Sequence, residues 1–360
     1  MDKEIKKTPT LSKEVSELVE SANKIHLKNF DSKVWFGRCI FLSWYCERGT
    51  CTFCFRSTTK HHIKNAIDAK RSLSSVMSEA LLIKACGWRI EFLTGGYGIY
   101  PFSDIVTFCK LVSQILEEKI WINLGTIDEK QMIELKPYVE GIVSSIETCE
   151  PKLHDTVCPD KNIEPYLEMM KLAKKHGFKQ SMTVVIGLGE KREDYSYLKK
   201  ILTEYNLERI TVYALRPVSG TPFTNGPSTD DLCFWIASVR NDFPTIEIIA
   251  GTAAYRIPEI SLLLKAGANA ITKLPATNIF NTTLGKNVEK EVLKSKREFL
   301  SKFVWEDIDK YDFNSKIDEL DLTSDEKKYV KKNILLYLKK FKKNYENMIS
   351  GNEKEIKNEE

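Results

Sequence analysis

Short apolar runs rich in β-branched residues alternate with helix-sized segments along most of this 360-residue chain. Eight runs have the length and composition of strands, and each is separated from the next by a segment long enough for a helix. This alternation predicts a parallel sheet, because parallel neighbours need a long crossover connection. Eight such units favour a closed (β/α)8 barrel of the TIM type, with an open doubly wound α/β sheet as the alternative. The predicted strands are 33–43, 89–93, 120–124, 141–146, 182–186, 210–215, 246–249 and 270–272.

The helical segments divide the chain into four parts. Thr323 and Glu326 have the spacing of a capping box, which predicts a long helix near 324–348. We expect the apolar stripe of this helix to pack against the barrel rather than bind a partner. The other predicted helices are 11–27, 73–86, 103–118, 128–137, 163–176, 192–205, 229–241, 258–266 and 286–300. The predicted parts are an N-terminal helical segment at 1–30, the barrel at 31–285, a C-terminal helical extension at 286–350 and a charged, disordered tail at 351–360.

Composition narrows the class of protein and its partners. The formal net charge is +4, and 42% of the residues are hydrophobic, which permits a full core. No long basic block interleaves with aromatic residues, so nucleic acid is not an expected partner. No apolar stretch is long enough to span a bilayer, and none follows the charged N-terminus. We therefore expect a cytoplasmic protein that does not enter a membrane.

Three cysteines follow the first predicted strand within nine residues: Cys46, Cys51 and Cys54. Three thiolates on one short loop can hold iron or zinc. No fourth cysteine follows at ferredoxin spacing, so a [4Fe–4S] cubane on this loop would keep one iron open to a ligand. Phe53 stands where an aromatic ring can shield a cluster or an adenine. The alternative is a zinc knuckle whose fourth ligand comes from His61 or His62.

Polar and glycine-rich segments follow several of the predicted strands. In a barrel of this type the active site lies at the C-terminal ends of the strands, so these segments are expected to share one rim with the cysteine loop. Their convergence strengthens the interpretation of the loop as a cluster site. The candidate residues are Gly95, Gly96, Glu147, Gly187, Gly189, Glu190 and Arg216.

Most of the chain, about residues 15–300, resembles radical S-adenosylmethionine (SAM) enzymes, in the subgroup that contains biotin synthase, HydE and PylB. The cysteine loop resembles their CxxxCxxC motif, with a first gap one residue longer. Ser145-Ile146-Glu147-Thr148 resembles their Glu-Thr strand end, and Ile186–Glu190 their glycine segment beneath the adenine. The segments Arg216-Pro217 and Gly220-Thr221-Pro222 resemble the turn after the sixth strand, and 265–269 an Ala-Gly-Ala-Asn segment.

The resemblance implies a [4Fe–4S] cluster on the three loop cysteines and SAM as its ligand. It implies that Gly95 and Gly96 hold the methionine amino group, although the acidic residue of that motif is absent here. It also implies that Glu147 accepts hydrogen bonds from the ribose hydroxyls; the alternative is a salt-bridged rim carboxylate. Arg216 would pair with a carboxylate of SAM or of the substrate, or alternatively with Glu190 or Glu247. A small-molecule substrate in the barrel and an electron donor such as ferredoxin or flavodoxin are the implied partners.

Two residues argue against sulfur insertion of the biotin synthase type. Ser181 and Thr252 stand where that enzyme has a cysteine and an arginine that hold its second cluster. The altered spacing of the loop resembles a methanogen group, HmdB/HcgA, linked to the iron-guanylylpyridinol cofactor of [Fe]-hydrogenase. Biosynthesis of that cofactor is therefore the expected process. The alternatives are an amino-acid mutase or lyase of the PylB or HydE kind, and a non-catalytic iron–sulfur or zinc scaffold.

The other six of the nine cysteines are scattered along the chain. In a cytoplasmic protein we expect thiols rather than disulfides, and mostly small buried apolar residues. Cys149 and Cys158 lie near the exit of the fourth strand without a local partner at ligand spacing; a role in substrate binding is the alternative. Gly49 is expected to take up the extra residue of the loop, because glycine tolerates positive φ.

Overall fold

The computed structural model describes residues 9–95 and 98–353, which form a closed parallel barrel. Eight strands pair in sequence order, and the eighth pairs with the first, which closes the ring. A short ninth strand pairs with the start of the first. The strands are β1 Lys33–Phe41, β2 Arg89–Thr94, β3 Ile120–Asn123, β4 Val139–Glu147, β5 Lys179–Ile186, β6 Arg209–Ala214, β7 Glu247–Gly251, β8 Ala270–Thr272 and β9 Glu298–Phe299.

Helices follow the strands and surround the barrel. The helices are α1 Lys13–Asn29, α2 Phe55–Thr59, α3 Leu73–Ala85, α4 Phe102–Leu116, α5 Glu129–Leu135, α6 Pro151–Val157, α7 Glu164–Lys175, α8 Tyr195–Tyr205, α9 Thr229–Asp242, α10 Ile260–Lys265, α11 Ala276–Ile279, α12 Thr283–Lys294, α13 Phe313–Asp318 and α14 Ser324–Ser350. Short 3-10 segments lie at Lys60–His62, Ala66–Ala69, Arg192–Asp194, Ala254–Glu259 and Ile308–Lys310.

Alternation along each strand divides the core into two regions. In β5, Met182, Val184 and Ile186 belong to the large outer core between the strands and the helices. Ser181 and Thr183 alternate with them and therefore face the barrel interior. The same two-residue period holds in β6, where Ile210 and Val212 belong to the outer core and Thr211 and Tyr213 face inward.

Aromatic and charged side chains fill the N-terminal end of the barrel, which we call the base. Trp35 and Trp121 are 4% and 5% exposed there. The Arg209 guanidinium lies 4.1 Å from the Trp121 ring centroid and 5.5 Å from that of Trp35. Its Nε donates to Glu247 at 2.5 Å. The base is therefore a packed plug in which the cation is paired and stacked.

The C-terminal segment wraps back onto the barrel. Thr323 and Glu326 form the predicted capping box at the start of α14. Val330, Ile334 and Phe341 are buried in the outer core, so the helix packs against the barrel as expected. Across the described residues, no helix is both long and apolar enough to span a bilayer.

The sequence prediction of a closed barrel is confirmed, and all eight predicted strands are present. Several short elements differ from the prediction, among them the unpredicted helices α2, α11 and α13. The helix predicted at 286–300 ends at Lys294, and Glu298–Phe299 instead pairs with β1. Helix α6 was not predicted, because its seven residues are too few to establish a helical period. The four-part division of the chain stays a prediction, and most of the predicted tail lies outside the described residues.

Candidate functional site

The cysteine loop leaves β1 at the C-terminal end of the barrel, which we call the mouth. Gly49 has φ +56°, the positive value expected for the residue that takes up the longer gap. A Cβ there would lie 2.4 Å from Lys60 Cδ and 3.0 Å from the Cys46 carbonyl oxygen. Lys60 Nζ donates to the carbonyl oxygens of Glu47 and, at 2.9 Å, Arg48. The Lys60 side chain therefore holds the loop in shape by donating hydrogen bonds to two of its carbonyl groups.

Backbone contacts fix the second half of the loop. The Thr52 N–H donates to the Val157 carbonyl at 2.9 Å, which ties the loop to the end of α6. Cys54 is the N-cap residue of α2, and its carbonyl accepts from the Ser57 N–H at 2.9 Å. The unpredicted helix α6 thus supports the loop that carries the candidate ligands.

The three loop thiols differ in their surroundings, although all are partly exposed. Cys158 lies beside Cys51, and this neighbouring thiol lowers the pKa of Cys51 below its ordinary value against the effect of burial. The same contact, with burial, raises the pKa of Cys158. Burial raises the pKa of Cys54. Cys158 has no partner at ligand spacing in the sequence, but chain folding brings it to Cys51.

The donor set suits an iron–sulfur cubane in number and chemistry. Three thiols stand on one loop, and cations near Cys51 favour its thiolate: Arg48 and Lys161. Within residues 9–95 and 98–353, no three His, Cys, Asp or Glu side chains are already gathered as a metal site. Cys51 would have to turn from Cys158 toward the other two thiols. His61 and His62, the candidates for a zinc ligand, are exposed on the segment after α2.

Glu147 ends β4 at the mouth with φ +65°, a conformation that is strained for a glutamate. Its carboxylate accepts from Lys161 Nζ at 2.6 Å, and the two side chains are 14% and 10% exposed. Burial opposes the charge of Lys161, but Glu147 together with Tyr166 and Cys158 outweighs this effect, so the pKa of Lys161 is raised. The salt-bridged alternative for Glu147 is therefore present in the structure. The hydrogen bond to Lys161 engages Oε1 of the carboxylate.

An aromatic ring connects this ion pair to the cysteine loop. The Lys161 ammonium lies 4.9 Å from the Tyr166 ring centroid. Arg48 Nη1 lies 2.9 Å from the Tyr166 hydroxyl oxygen, to which it donates. The loop and the β4 end thus share one network of two cations and one carboxylate.

The glycine segment after β5 folds into a tight turn. Gly187 and Gly189 have φ of +108° and +121°. The Glu190 carboxylate accepts from the backbone N–H groups of Gly187 at 2.7 Å and Leu188 at 2.9 Å. Burial nevertheless raises the pKa of Glu190. Glu190 therefore holds the turn in shape, and its role as a direct cofactor contact stays a prediction.

The remaining candidates lie around the same mouth. Gly95 directly follows β2, with its backbone against Leu42, and Gly96 lies outside the described residues. Phe53 and Cys51 pack against the interior apolar cluster, the group of buried side chains inside the barrel that includes Phe92 and Tyr213. Arg216 is exposed after β6. Glu247, one alternative partner for Arg216, pairs with Arg209 in the base.

A polar ladder that sequence reasoning missed lines the mouth. Asn123 Nδ2 and Thr183 Oγ1 donate to Ser145 Oγ at 2.7 and 2.8 Å. Thr94 Oγ1 donates to the Asn123 carbonyl at 2.7 Å. These residues come from β2, β3, β4 and β5; Thr94 and Asn123 end their strands, whereas Ser145 and Thr183 lie two and three residues before the ends. The sequence signal was a polar residue in the C-terminal half of each of four successive strands.

Lys273 is a further residue of the mouth that sequence reasoning missed. Six non-glycine residues of the described chain have positive φ. Glu147 is the last residue of β4 and Lys273 directly follows β8, whereas the other four come after helices. The Lys273 ammonium lies 5.1 Å from the Tyr213 ring centroid and 5.3 Å from that of Phe41. Its strained backbone holds a cation over the interior of the barrel.

Sequence comparison places this chain among known proteins. Residues 42–202 match the family described as the Radical SAM superfamily. An uncharacterized protein of Methanocaldococcus jannaschii is 39% identical over 301 residues, which cover 82% of this chain and 83% of that protein. Biotin synthase of Clostridium botulinum is 26% identical over 275 residues, covering 72% of this chain and 84% of that enzyme.

A solved structure supports the same fold. The crystal structure of methylornithine synthase (PylB) superposes with a TM-score of 0.63 at 22% identity. The match covers 73% of this chain and 79% of that one. At this identity the likeness concerns the fold, and it agrees with the closed eight-stranded barrel described above.

Proposed function

Because the chain belongs to the radical SAM superfamily of enzymes, we propose that it holds a [4Fe–4S] cluster on Cys46, Cys51 and Cys54 and reductively cleaves SAM. One observation carries the proposal: three partly exposed thiols stand on one loop at the barrel mouth, within the segment that matches the family. The positive φ of Gly49 explains how the loop contains one more residue than CxxxCxxC. When bound, the cluster would supply one electron to the sulfonium of SAM, and cleavage of the S–C5′ bond would give methionine and a 5′-deoxyadenosyl radical.

The residues of the chain bind and orient SAM at the mouth. Glu147 accepts from the ribose hydroxyls with its carboxylate, of which Oε1 also accepts from Lys161. Gly95, together with Gly96 outside the described residues, is the proposed binding segment for the methionine amino group. Gly187, Gly189 and Glu190 form a turn beneath the adenine, with Phe53 beside the ring. Arg216 pairs with a carboxylate of SAM or of the substrate.

The process we propose is biosynthesis of the iron-guanylylpyridinol cofactor of [Fe]-hydrogenase, with a small-molecule substrate in the barrel. Two observations support it: the CxxxxCxxC spacing, and a 39%-identical relative in a methanogen. Ser181 and Thr252 are buried and carry hydroxyl groups in place of the cysteine and arginine that would hold a second cluster, which argues against sulfur insertion. An amino-acid mutase or lyase is the alternative within the same chemistry. The electron donor would be a ferredoxin or a flavodoxin.

A non-catalytic scaffold is a second candidate, and the contact between Cys51 and Cys158 favours it. A fourth thiol at the loop offers a ligand for the fourth iron, which would close the site to SAM. In that case the protein would carry a cluster without SAM chemistry.

Anaerobic reconstitution followed by reduction with dithionite and addition of SAM tests the enzyme proposal. We expect 5′-deoxyadenosine from the wild-type protein and none from Cys54→Ala. Cys109→Ser is the matched control, because Cys109 is buried in the outer core away from the mouth. A protein with a full, reducible cluster that forms no 5′-deoxyadenosine would support the scaffold instead.

The process is tested in cells. Deletion of the gene in a methanogen that carries it should abolish [Fe]-hydrogenase activity while other hydrogenases persist. The wild-type gene should restore the activity, and the gene for Cys54→Ala should not. Unchanged [Fe]-hydrogenase activity in the deletion strain would exclude this process and favour the mutase or lyase.

A further inference from the structure

A buried polar cluster lies deeper in the barrel, below the loop. Glu91 is 1% exposed and faces the interior from β2. Its carboxylate accepts from Cys39 Sγ at 2.8 Å and from the hydroxyls of Tyr213 and Thr272. Cys39 and Thr272 come from the nearby strands β1 and β8, and Tyr213 comes from β6 on the far side of the ring, so the carboxylate joins four strands. We call this group the Glu91 cluster.

The backbone makes room for the cluster. A Cβ on Gly251 would lie 2.0 Å from Tyr213 Cδ1, and one on Gly37 would lie 3.2 Å from Glu91 Cβ. Both glycines stand on strands next to the side chain that they accommodate. The Glu91 cluster therefore depends on glycine at positions 37 and 251, because a side chain at either position would displace Glu91 or Tyr213.

Unpartnered hydroxyls line the same interior. Ser181 Oγ, Thr211 Oγ1 and Thr252 Oγ1 are buried, and within the described residues none has a hydrogen-bond partner. Their residues are 1–3% exposed. Ser181 and Thr211 face the barrel interior, because they alternate with outer-core residues of β5 and β6. Buried hydroxyls are normally satisfied, so these two indicate a polar ligand in this space. Cys39 therefore shares the barrel interior with buried hydroxyl groups that can bind a polar molecule.

Cys39 differs from the other buried thiols. Cys86, Cys109, Cys149 and Cys233 belong to the outer core, behind the barrel wall. Cys39 belongs to the interior apolar cluster, against which Cys51 and Phe53 of the loop also pack. Burial and the Glu91 carboxylate raise the pKa of Cys39, so it stays a thiol. An S–H bond is weaker than a primary C–H bond, which makes this thiol a suitable source of a hydrogen atom.

We infer that the Cys39 thiol is a hydrogen-atom donor to carbon-centred radicals in the barrel, with Glu91 as the residue that positions it. This inference rests on the proposed function, which supplies the radical. The S–H bond of Cys39 breaks, the new C–H bond forms, and a thiyl radical is left on Cys39. One electron from the low-potential donor and one proton from solvent restore the thiol. Sequence reasoning assigned Cys39 only a packing role.

The 5′-deoxyadenosyl radical itself serves as the probe. Reconstituted, dithionite-reduced protein is given SAM in D2O without any other substrate, and the mass of 5′-deoxyadenosine is measured. Because the thiol exchanges its proton with solvent, we expect wild-type protein to place one deuterium on C5′. Cys39→Ser should lose this deuterium, since an alcohol O–H bond is too strong to donate a hydrogen atom. Serine keeps the hydrogen bond to Glu91, and Cys39→Ala is the second variant if folding is impaired.

Two further variants locate the source of the atom. Tyr213→Phe should retain the deuterium, because the neighbouring phenol is not the donor. Cys109→Ser, in the outer core, should also retain it. Deuterium that persists in Cys39→Ser, or that is lost in Tyr213→Phe, would overturn the inference. Unlabelled 5′-deoxyadenosine from wild-type protein would overturn it as well, while leaving the proposed function intact. Absence of any 5′-deoxyadenosine would overturn both.

The geometry has a readout that needs no cluster. The infrared S–H stretching band of Cys39 is identified by its loss in Cys39→Ser, using cluster-free protein. A hydrogen bond to a carboxylate lowers the frequency of this band, and Glu91→Ala should shift it back. A Cys39 band at the same frequency with and without Glu91 would contradict the positioning role.

Discussion

The N-terminal base and the C-terminal mouth of the barrel are built from the same eight strands but filled differently. Trp35, Trp121 and Arg209 close the base, where the cation is stacked on indole rings and paired with Glu247. The mouth carries partly exposed thiols and two strained strand ends, Glu147 and Lys273. The comparison teaches that packing holds the barrel closed at the base, which allows polar and strained residues to gather at the mouth.

The largest expected effect separates function from stability. Cys51→Ala at the mouth should abolish cluster binding and SAM cleavage. The loop has only three cysteines, and the proposed cluster needs all three as ligands. The thermal midpoint of the cluster-free protein should hardly change, since a partly exposed cysteine contributes little packing. Iron analysis and calorimetry on the same preparation check both statements. A variant that retains its cluster would show that Cys51 is not a ligand.

At the base the opposite behaviour is expected. Trp35→Ala should lower the free energy of unfolding by about 3–5 kcal/mol, the usual cost of truncating a buried tryptophan. Trp44→Ala at the mouth is the matched control, because Trp44 is 44% exposed and Trp35 is 4% exposed. Its cost should be less than about 1 kcal/mol. Equal losses in urea unfolding would remove the distinction between the two ends.

The third prediction tests whether Glu147 at the mouth contacts SAM directly. Glu147→Ala should weaken SAM binding by about 1–3 kcal/mol, the cost of leaving hydrogen-bonding groups without a partner. Iron content should stay the same, because Glu147 is not proposed as a ligand. Lys161→Met is the control: it removes the other half of the ion pair and keeps the carboxylate. Calorimetric titration with SAM that gives equal losses in both variants would contradict a direct contact between Glu147 and SAM.

We expect the free energy of unfolding to depend on pH through His26. His26 is buried in α1, where Nδ1 lies 3.1 Å from the Gly267 carbonyl oxygen. Burial, followed by Arg297 and Arg240, lowers the pKa of His26 to about 3. Between this value and the ordinary pKa the unfolded chain binds the extra proton, so stability rises with pH. The contribution is about 1.4 kcal/mol per pH unit and is lost as acid is added.

Urea unfolding across this pH range measures the contribution. His26→Asn should give a flatter profile than the wild-type protein, because asparagine retains a donor for the Gly267 carbonyl and does not titrate. Parallel profiles for the two proteins would contradict the lowered pKa.

The sequence predicted the barrel because apolar runs and helix-sized segments are local patterns. It also predicted the positive φ of Gly49, since the longer cysteine gap required a residue that tolerates it. It missed contacts that depend on strand register. Cys158 meets Cys51, and Glu91 meets Tyr213, only after the ring has closed. Neither pair has a signature in sequence spacing, so scattered cysteines were interpreted as packing residues.

The central claim is that three cysteines at the mouth leave one iron open to SAM. Electron paramagnetic resonance of the reduced, reconstituted protein with and without SAM tests it most directly. The account predicts a cubane signal that changes on addition of SAM, in the wild-type protein and in Cys158→Ser alike. A wild-type signal that SAM does not alter, combined with loss of iron in Cys158→Ser, would show a fourth thiolate on the cluster and contradict the account.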